Sequence, residues 1–274
     1  MSTVTVNALP VSHCIDGDAT QPWLVLSHGL GLDLAMWEPQ MPALRERFRV
    51  LRYDARGHGA SGVPAGPSTI EQLGRDVIGL LDGLGIARAH FCGFSMGGVI
   101  GQWLAINAPE RLDKLVLAHT AARIGPVSMW NERIAIVESR GMGAISEAAM
   151  LRWFTPRFLA AEPEVVGTLK AAMERNDPHG YASCCAAIRD ADFRDALGAI
   201  AVPTLVLSGA HDAATTPADG AFLAARIPGA GHVEIDGAHL SNFERPAAFT
   251  RALLDFFGGI ARTPAALETA GHAA

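Results

Sequence analysis

The stretch "FCGFSMGGVI", residues 91–100, places one serine, Ser95, between Gly93 and Gly97, with apolar residues on both sides. Ser95 either fills a tight turn or is a nucleophile that the turn exists to present. The bare pattern G-x-S-x-G does not decide. With 29 glycines and 12 serines in 274 residues, chance supplies roughly 0.1 matches. Context decides: the motif closes a predicted strand, "AHFCGF" (89–94), and opens a predicted helix, "SMGGVIGQWLAINA" (95–108). So sharp a strand-to-helix turn strains the serine backbone and lifts its hydroxyl above the C-terminal edge of a sheet, where α/β sheets bind ligands. Side chains at positions 93 and 97 would collide there. The helix N-terminus beneath supplies free N–H groups and a positive dipole end.

Outward from this turn, short apolar runs alternate with helical patterns. "WLVLS" (23–27) is a continuous apolar run, as expected of a strand buried on both faces. "RVLRYD" (49–54), "KLVLAH" (114–119), "TLVLSG" (204–209) and "HVEID" (232–236) share its style, and "TVTVNA" and "VSHCID" read as a leading pair. "STIEQLGRDVIGLLDGLG" (68–85) has a Ser/Thr start and helical spacing of apolar residues, and "PAAFTRALLDFF" (246–257) reads as a closing helix with Pro246 in its first turn. The alternation predicts an α/β fold, a mostly parallel eight-stranded sheet with flanking helices.

The rhythm fails between residues 122 and 199. Segments such as "MWNERIAIVESR" (129–140) and "EPEVVGTLKAAMERN" (162–176) read as helices, punctuated by Pro126, Pro156, Pro163 and Pro178, and no buried strand stands out. This predicts a helical cap inserted between a first core segment, 1–121, and a second, 200–274. A cap over the sheet edge is a natural carrier of substrate-binding residues. The tail from about residue 261, "ARTPAALETAGHAA" (261–274), is Ala-rich and expected to fray.

Composition narrows the partners. The formal net charge is −6, and the basic residues are scattered rather than striped, so nucleic acid is not an expected partner. No run of about 18 apolar residues predicts a membrane span, and the start "MSTVTVNALPVSH" lacks a secretory pattern. Cys14, Cys92, Cys184 and Cys185 have no metal-ligand spacing, so a reducing cytoplasm is expected. Oligomeric state is not legible.

A serine hydroxyl needs a base, and the base needs an orienting group. With a serine on such a turn, the chain order is Ser, acid, His. "TLVLSGAHDAATTP" (204–217) places Asp212 just beyond a strand, and "HVEIDGAHLSNFE" (232–244) places His239 beyond the last one. Both then share the sheet edge of Ser95. His232 starts its strand and falls at the opposite edge; His13 and His90 sit in or at strands; His179 lies in the insertion; His211 adjoins the acid candidate. Asp236 is the main rival acid. The loop after "WLVLS" is "HGLG" (28–31), and a backbone N–H there, that of Leu30, is expected to pair with that of Met96 as an oxyanion hole. His28, and Arg56 and His58 in "YDARGHGASG" (53–62), are expected to brace the site.

Together, "SHGLG", "DARGHGASG", "GFSMGG", "SGAHDAATTP" and "GAHLSNFE" resemble the α/β-hydrolase superfamily across nearly the whole chain. More narrowly, "TAARIG" (120–125), "MWNERI" (129–134), "RWFTPRF" (152–158) and "DPHGYASCCAAIRDADF" (177–193) resemble the 3-oxoadipate enol-lactonases of the bacterial β-ketoadipate pathway. The resemblance implies hydrolysis of 3-oxoadipate enol-lactone in aromatic catabolism, with Ser95 as nucleophile, Asp212 as acid and His239 as base. It implies a small carboxylated lactone as partner and no metal or organic cofactor. The free carboxylate calls for a cation. Arg133, three residues after Trp130 on a predicted cap helix, is the first candidate, with Trp130 and Trp153 as apolar walls and Arg123 and Arg189 in reserve. Other esterases or perhydrolases of this fold, and C–C bond hydrolases, are the competing readings. The last tend to carry a tryptophan after the histidine, where this chain has Leu240. Dehalogenases and epoxide hydrolases of the fold need an aspartate in place of Ser95. A ligand receptor of hydrolase ancestry is a further reading, and steady-state turnover separates it from an enzyme.

Overall fold

The structure is a computed structural model and describes residues 1–259. The expected frayed tail lies outside the described residues. Strands β1 (Ser2–Val6), β2 (Leu9–Asp16), β3 (Trp23–Ser27), β4 (Arg49–Tyr53), β5 (Ala89–Phe94), β6 (Leu112–Ala118), β7 (Thr204–Gly209) and β8 (Gly231–Ile235) form one sheet, ordered β1-β2-β4-β3-β5-β6-β7-β8. β1 and β2 make a hairpin whose two turn residues, Asn7 and Ala8, have φ of 47° and 65°. Positive φ at both positions matches the right-handed twist of the strands. β2 pairs antiparallel with β4, and every pair from β4 to β8 is parallel. β3, β5 and β7 are sealed on both faces, which is why their sequences run apolar without alternation.

Helices α1 (Met41–Leu44), α2 (Ile70–Gly83) and α3 (Met96–Asn107) lie in the first part of the chain. Thr69 and Gln72 close a reciprocal capping box at the start of α2, whose buried stripe is Leu73, Val77, Leu80 and Leu81. α3 is buried on nearly every side, because Gly97, Gly98 and Gly101 let it lie against the sheet.

Between β6 and β7 come five α-helices, a short 3-10 turn (Leu197–Ala199) and, among the described residues, no strand: α4 (Val127–Arg140), α5 (Gly143–Trp153), α6 (Pro156–Ala161), α7 (Pro163–Glu174) and α8 (Pro178–Asp190). The prolines that punctuate this region are helix starters. Pro126 precedes α4, and the other three occupy the first turns of α6, α7 and α8, where no amide partner is lost. These helices are tied to the sheet at several points. Asn176 Nδ2 donates to the Gly31 carbonyl at 2.9 Å, and Ser183 and Ser68 hydroxyls meet at 2.8 Å. Gly57 and Gly180 approach so closely that a Cβ on either would strike the other's backbone. After β7 follow α9 (Pro217–Arg226), α10 (Ser241–Glu244) and α11 (Pro246–Phe257). α11 presents Phe249, Leu253 and Phe257, four apart, to the core.

Candidate active site

Ser95 joins β5 to α3 with φ 53° and ψ −109°. A residue with a side chain pays on the order of 1–3 kcal/mol for such a backbone. Neighbours hold it there. The Ser95 amide donates to the Ala118 carbonyl at 2.8 Å, and its carbonyl accepts from Gly98 and Val99 amides and from the Thr120 hydroxyl. A Cβ at Gly93 would run into the Gly97 carbonyl, and one at Gly97 into the Ser27 carbonyl. Glycine at both positions is therefore a steric requirement of the turn.

Two loops meet under Ser95. The amides of Gly29, Gly31 and Gly97 are spent on Met36 Sδ (3.4 Å), His58 Nε2 (2.9 Å) and the His28 carbonyl (3.2 Å). Those of Leu30 and Met96 have no hydrogen-bond partner among the described residues. His28 and His58 brace this loop. His28 Nε2 accepts from the Ala55 amide at 2.8 Å, which leaves Nδ1 to donate to the Gly29 carbonyl at 2.8 Å. His58 Nε2 accepts from Gly31, so its Nδ1 donates to the Arg56 carbonyl at 3.2 Å. Burial, with neighbouring His28, holds the His58 pKa down to about 3, so this ring is neutral. Arg56 is locked on buried Asp76 through two hydrogen bonds.

His239 follows β8 and lines the same cavity as Ser95. Its Nδ1 lies 2.7 Å from Asp212 Oδ2. Asp212, in the turn after β7, is almost fully buried. Its Oδ1 accepts the Ala214 and Thr215 amides at 2.8 and 3.0 Å; its Oδ2 also accepts the Thr215 hydroxyl at 3.0 Å. Burial works against its ionisation. Electrostatic interaction with the neighbouring His239 and hydrogen bonds from His119 and His239 outweigh that and hold the carboxyl well below the usual range. Asp236, the rival acid, lies at the surface, where it pairs with His211 (2.9 Å) and Arg245 (3.0 Å).

The sequence reading missed His119. It immediately follows β6, its Nδ1 lies 3.0 Å from Asp212 Oδ2, and its Nε2 lies 2.7 Å from Ser241 Oγ. The available signal was a titratable residue at the C-terminal end of a buried strand, the edge that carries the other candidates. His119, Asp212 and His239 offer ligand atoms within 4.8 Å of one another. The His239–Asp212 separation of 2.7 Å is a hydrogen bond, shorter than the roughly 3.3 Å between ligands around a tetrahedral ion with bonds of about 2.0 Å.

A cavity of about 540 Å³ opens over Ser95 and His239, roofed by α4, α5, α7 and α8. Trp130, Arg133 and Trp153 all line it. The Trp130 indole N–H is anchored on the Ile124 carbonyl at 2.6 Å, and the Arg133 guanidinium sits 5.2 Å from the Trp130 ring centroid. Trp153 lies 6.4 Å from the His239 ring. Its carbonyl accepts the Leu240 amide at 2.9 Å, and the Thr155 amide donates to Glu244 at 2.6 Å, so the end of α5 is fixed to the His239 loop. Arg123 and Arg189 do not line this cavity and are engaged elsewhere, with Asp192, and with Asp190 and Asn131. Arg152 does line it and was missed. Burial and the like charge of Arg133 lower its pKa. Among the described residues neither Arg133 nor Arg152 has a carboxylate partner within ion-pair distance.

A strained serine between obligatory glycines, an eight-stranded sheet of this order and a buried acid–histidine pair at the same edge define a class of fold. The family model described as alpha/beta hydrolase fold matches residues 22–246, and the chain belongs to that family. Within it, the chain is 44% identical over 251 residues to 3-oxoadipate enol-lactonase 2 of Acinetobacter baylyi, covering 92% of this chain and 94% of that one. It is 37% identical to 3-oxoadipate enol-lactonase 1 of the same organism, over 90% of this chain and 92% of that one. The crystal structure of the enol-lactonase from Burkholderia xenovorans LB400 superposes with a TM-score of 0.93 at 48% identity, over 94% of this chain and all of that one. No helix among the described residues is long and apolar enough to cross a membrane.

Proposed function

We propose that the protein is a serine hydrolase that opens 3-oxoadipate enol-lactone to 3-oxoadipate through an acyl-enzyme. Three named enol-lactonases among its relatives support the reading. The observation that carries the substrate class is the pair Arg133 and Arg152, two cations in one cavity without a carboxylate partner. An anionic ligand relieves their mutual repulsion and supplies the carboxylate that neither has; Arg133 has only the Tyr181 hydroxyl, at 3.4 Å, as acceptor.

His239 Nε2 takes the Ser95 proton as the hydroxyl oxygen bonds to the lactone carbonyl carbon. Asp212 keeps the proton on His239 Nδ1 and stabilises the imidazolium. Leu30 and Met96 amides receive the developing alkoxide. Ring opening breaks the acyl C–O bond and expels an enolate, which His239 protonates; the enol then becomes a ketone. Water, deprotonated by His239, cleaves the acyl-enzyme and returns Ser95 to its free hydroxyl. Arg133 and Arg152 hold the carboxymethyl group, with Trp130 and Trp153 beside the ring. Each charge-assisted contact contributes about 1.5–3 kcal/mol.

The deciding assay compares kcat/KM for the enol-lactone with that for p-nitrophenyl acetate, in wild type and Ser95→Ala. The reading expects a preference for the carboxylated lactone and a loss of about a millionfold in the variant. Equal use of both substrates would leave only a general esterase. A Ser95→Ala enzyme with a tenth of wild-type rate would remove the nucleophile.

A further inference from the structure

His119 is a buried titratable group that the proposed reaction does not use. Its backbone has φ 48°, in the left-handed region, and its amide donates to the Leu207 carbonyl at 2.8 Å. Its ring stacks on Phe94, at 5.1 Å and 24°, and lies near-parallel to Phe249, at 6.3 Å and 18°. A left-handed histidine costs energy, and this one is clamped so that both ring nitrogens end on polar partners. Those are Asp212 Oδ2 and Ser241 Oγ.

We propose that His119 is a positioning residue for the catalytic acid: its Nδ1–H shares Asp212 Oδ2 with His239 and limits how much carboxylate charge reaches that histidine. The proposal rests on the triad reading above. The protonation pattern follows from the partners. An ionised carboxylate only accepts, so the proton lies on His119 Nδ1, and Nε2 accepts the Ser241 hydroxyl proton. Burial favours this neutral form, although Asp212 and the more distant Glu244 pull the other way. The groups facing the cluster are Asp212 and Thr215 after β7, His239 after β8, Ser241 and Glu244 of α10, and Arg152 of α5, whose charge reaches Asp212.

Two effects follow. Asp212 Oδ2 is held from three sides, by His239, His119 and Thr215, so the carboxylate cannot swing away when His239 turns over protons. The second donor also withdraws charge from the oxygen that stabilises the His239 imidazolium. Without His119, that imidazolium keeps its proton to higher pH, and the free base appears later on a rising pH scale.

The test is the pH profile of kcat/KM for p-nitrophenyl acetate in wild type, His119→Phe and His119→Asn, with Ser95→Ala in parallel and folding checked by circular dichroism. Phenylalanine keeps the stacked ring and removes both hydrogen bonds. Asparagine suits the left-handed backbone and offers an amide donor near the Nδ1 position. The expected result for His119→Phe is an acid limb moved up by about half a pH unit or more, with the rate reduced about tenfold. His119→Asn should hold the limb near the wild-type position and recover most of the rate. If His119→Phe does not fold, His119→Leu is measured in the same way. An unmoved limb in the apolar variant, whatever its rate, overturns the role, as does an asparagine variant no better than the apolar one. An active Ser95→Ala enzyme overturns the triad reading and this role with it. An unmoved limb alongside a dead Ser95→Ala enzyme overturns the His119 role alone.

Discussion

Replacing Asp212 by asparagine tests the site most directly, because the structure fixes what the amide must do. The carboxylate accepts five hydrogen bonds: two backbone amides on Oδ1, and His239, His119 and the Thr215 hydroxyl on Oδ2. Asparagine must place its NH2 on one side or the other. Facing the Ala214 and Thr215 amides, it sets donors against donors that cannot change, at about 1–3 kcal/mol for each group left unsatisfied. Facing the histidines, it meets rings that can move a proton to Nε2. The second arrangement wins by about 2–6 kcal/mol, which suppresses the productive His239 tautomer by roughly 30-fold to 10⁴-fold. Loss of the charge that stabilises the imidazolium adds to this, so kcat should fall by about 10³ to 10⁴. Initial rates on the enol-lactone and on p-nitrophenyl acetate should fall together, with the melting temperature recorded as a control. Asp236→Asn removes only surface pairs with His211 and Arg245, since that carboxylate is 71% exposed, and should change rates less than about twofold. An Asp212→Asn enzyme with more than a tenth of wild-type kcat, or the reverse ranking of the two variants, would refute the reasoning.

Arg133→Met should lower kcat/KM for the enol-lactone at least tenfold while changing a small neutral ester little, and equal losses on both substrates would make the arginine structural. Arg152→Met should show the same selectivity and Arg123→Met should not, because Arg123 is tied to Asp192 outside the cavity; a competitive carboxylate that binds all three variants like wild type would contradict the assignment. Acid should weaken the fold through His58. Its folded pKa of about 3 lies below the unfolded value of 6.5, so the unfolded chain takes up a proton that the folded chain refuses. That term costs about 2 kcal/mol between pH 7 and pH 5, and the neutral state of buried His119 acts in the same direction. Asp212, with its depressed pKa, adds a further loss below about pH 4 as its unfolded carboxyl protonates. Urea midpoints should therefore drop from pH 7 to pH 5, and a flat profile would argue against a neutral His58.

Much of this protein is written in local order along the chain. The β5–Ser95–α3 turn is marked by glycines two residues to either side: Gly93 is required by the turn's own backbone at Gly97, and Gly97 by the neighbouring β3 backbone at Ser27. Buried parallel strands announce themselves as apolar runs, and the helices by their 3.6-residue period. Because every parallel strand ends at the same edge, the positions of Asp212 and His239 after β7 and β8 already assigned them to the sheet edge that carries Ser95. The expectation for the Leu30 and Met96 amides came from the same strand ends, and both amides are without a partner among the described residues.

Tertiary structure alone decided what depends on distance between segments far apart in the chain. Asp212 and Asp236 both lie within 30 residues before His239, and only the packing of β7 against β8 shows that one is buried on the imidazole and the other faces water. His119 is 93 residues from Asp212 in sequence, and no spacing rule connects them. Sequence spacing favoured Arg133, three residues after Trp130, over Arg123 and Arg189, but gave no sign of Arg152. The docking of α4 and α5 over the sheet turned Arg133 and Arg152 into the cavity and left Arg123 and Arg189 to Asp192 and Asp190. A helix period tells which residues share a face; the partner of that face is set by packing between distant segments, which the periodicity of one segment does not carry.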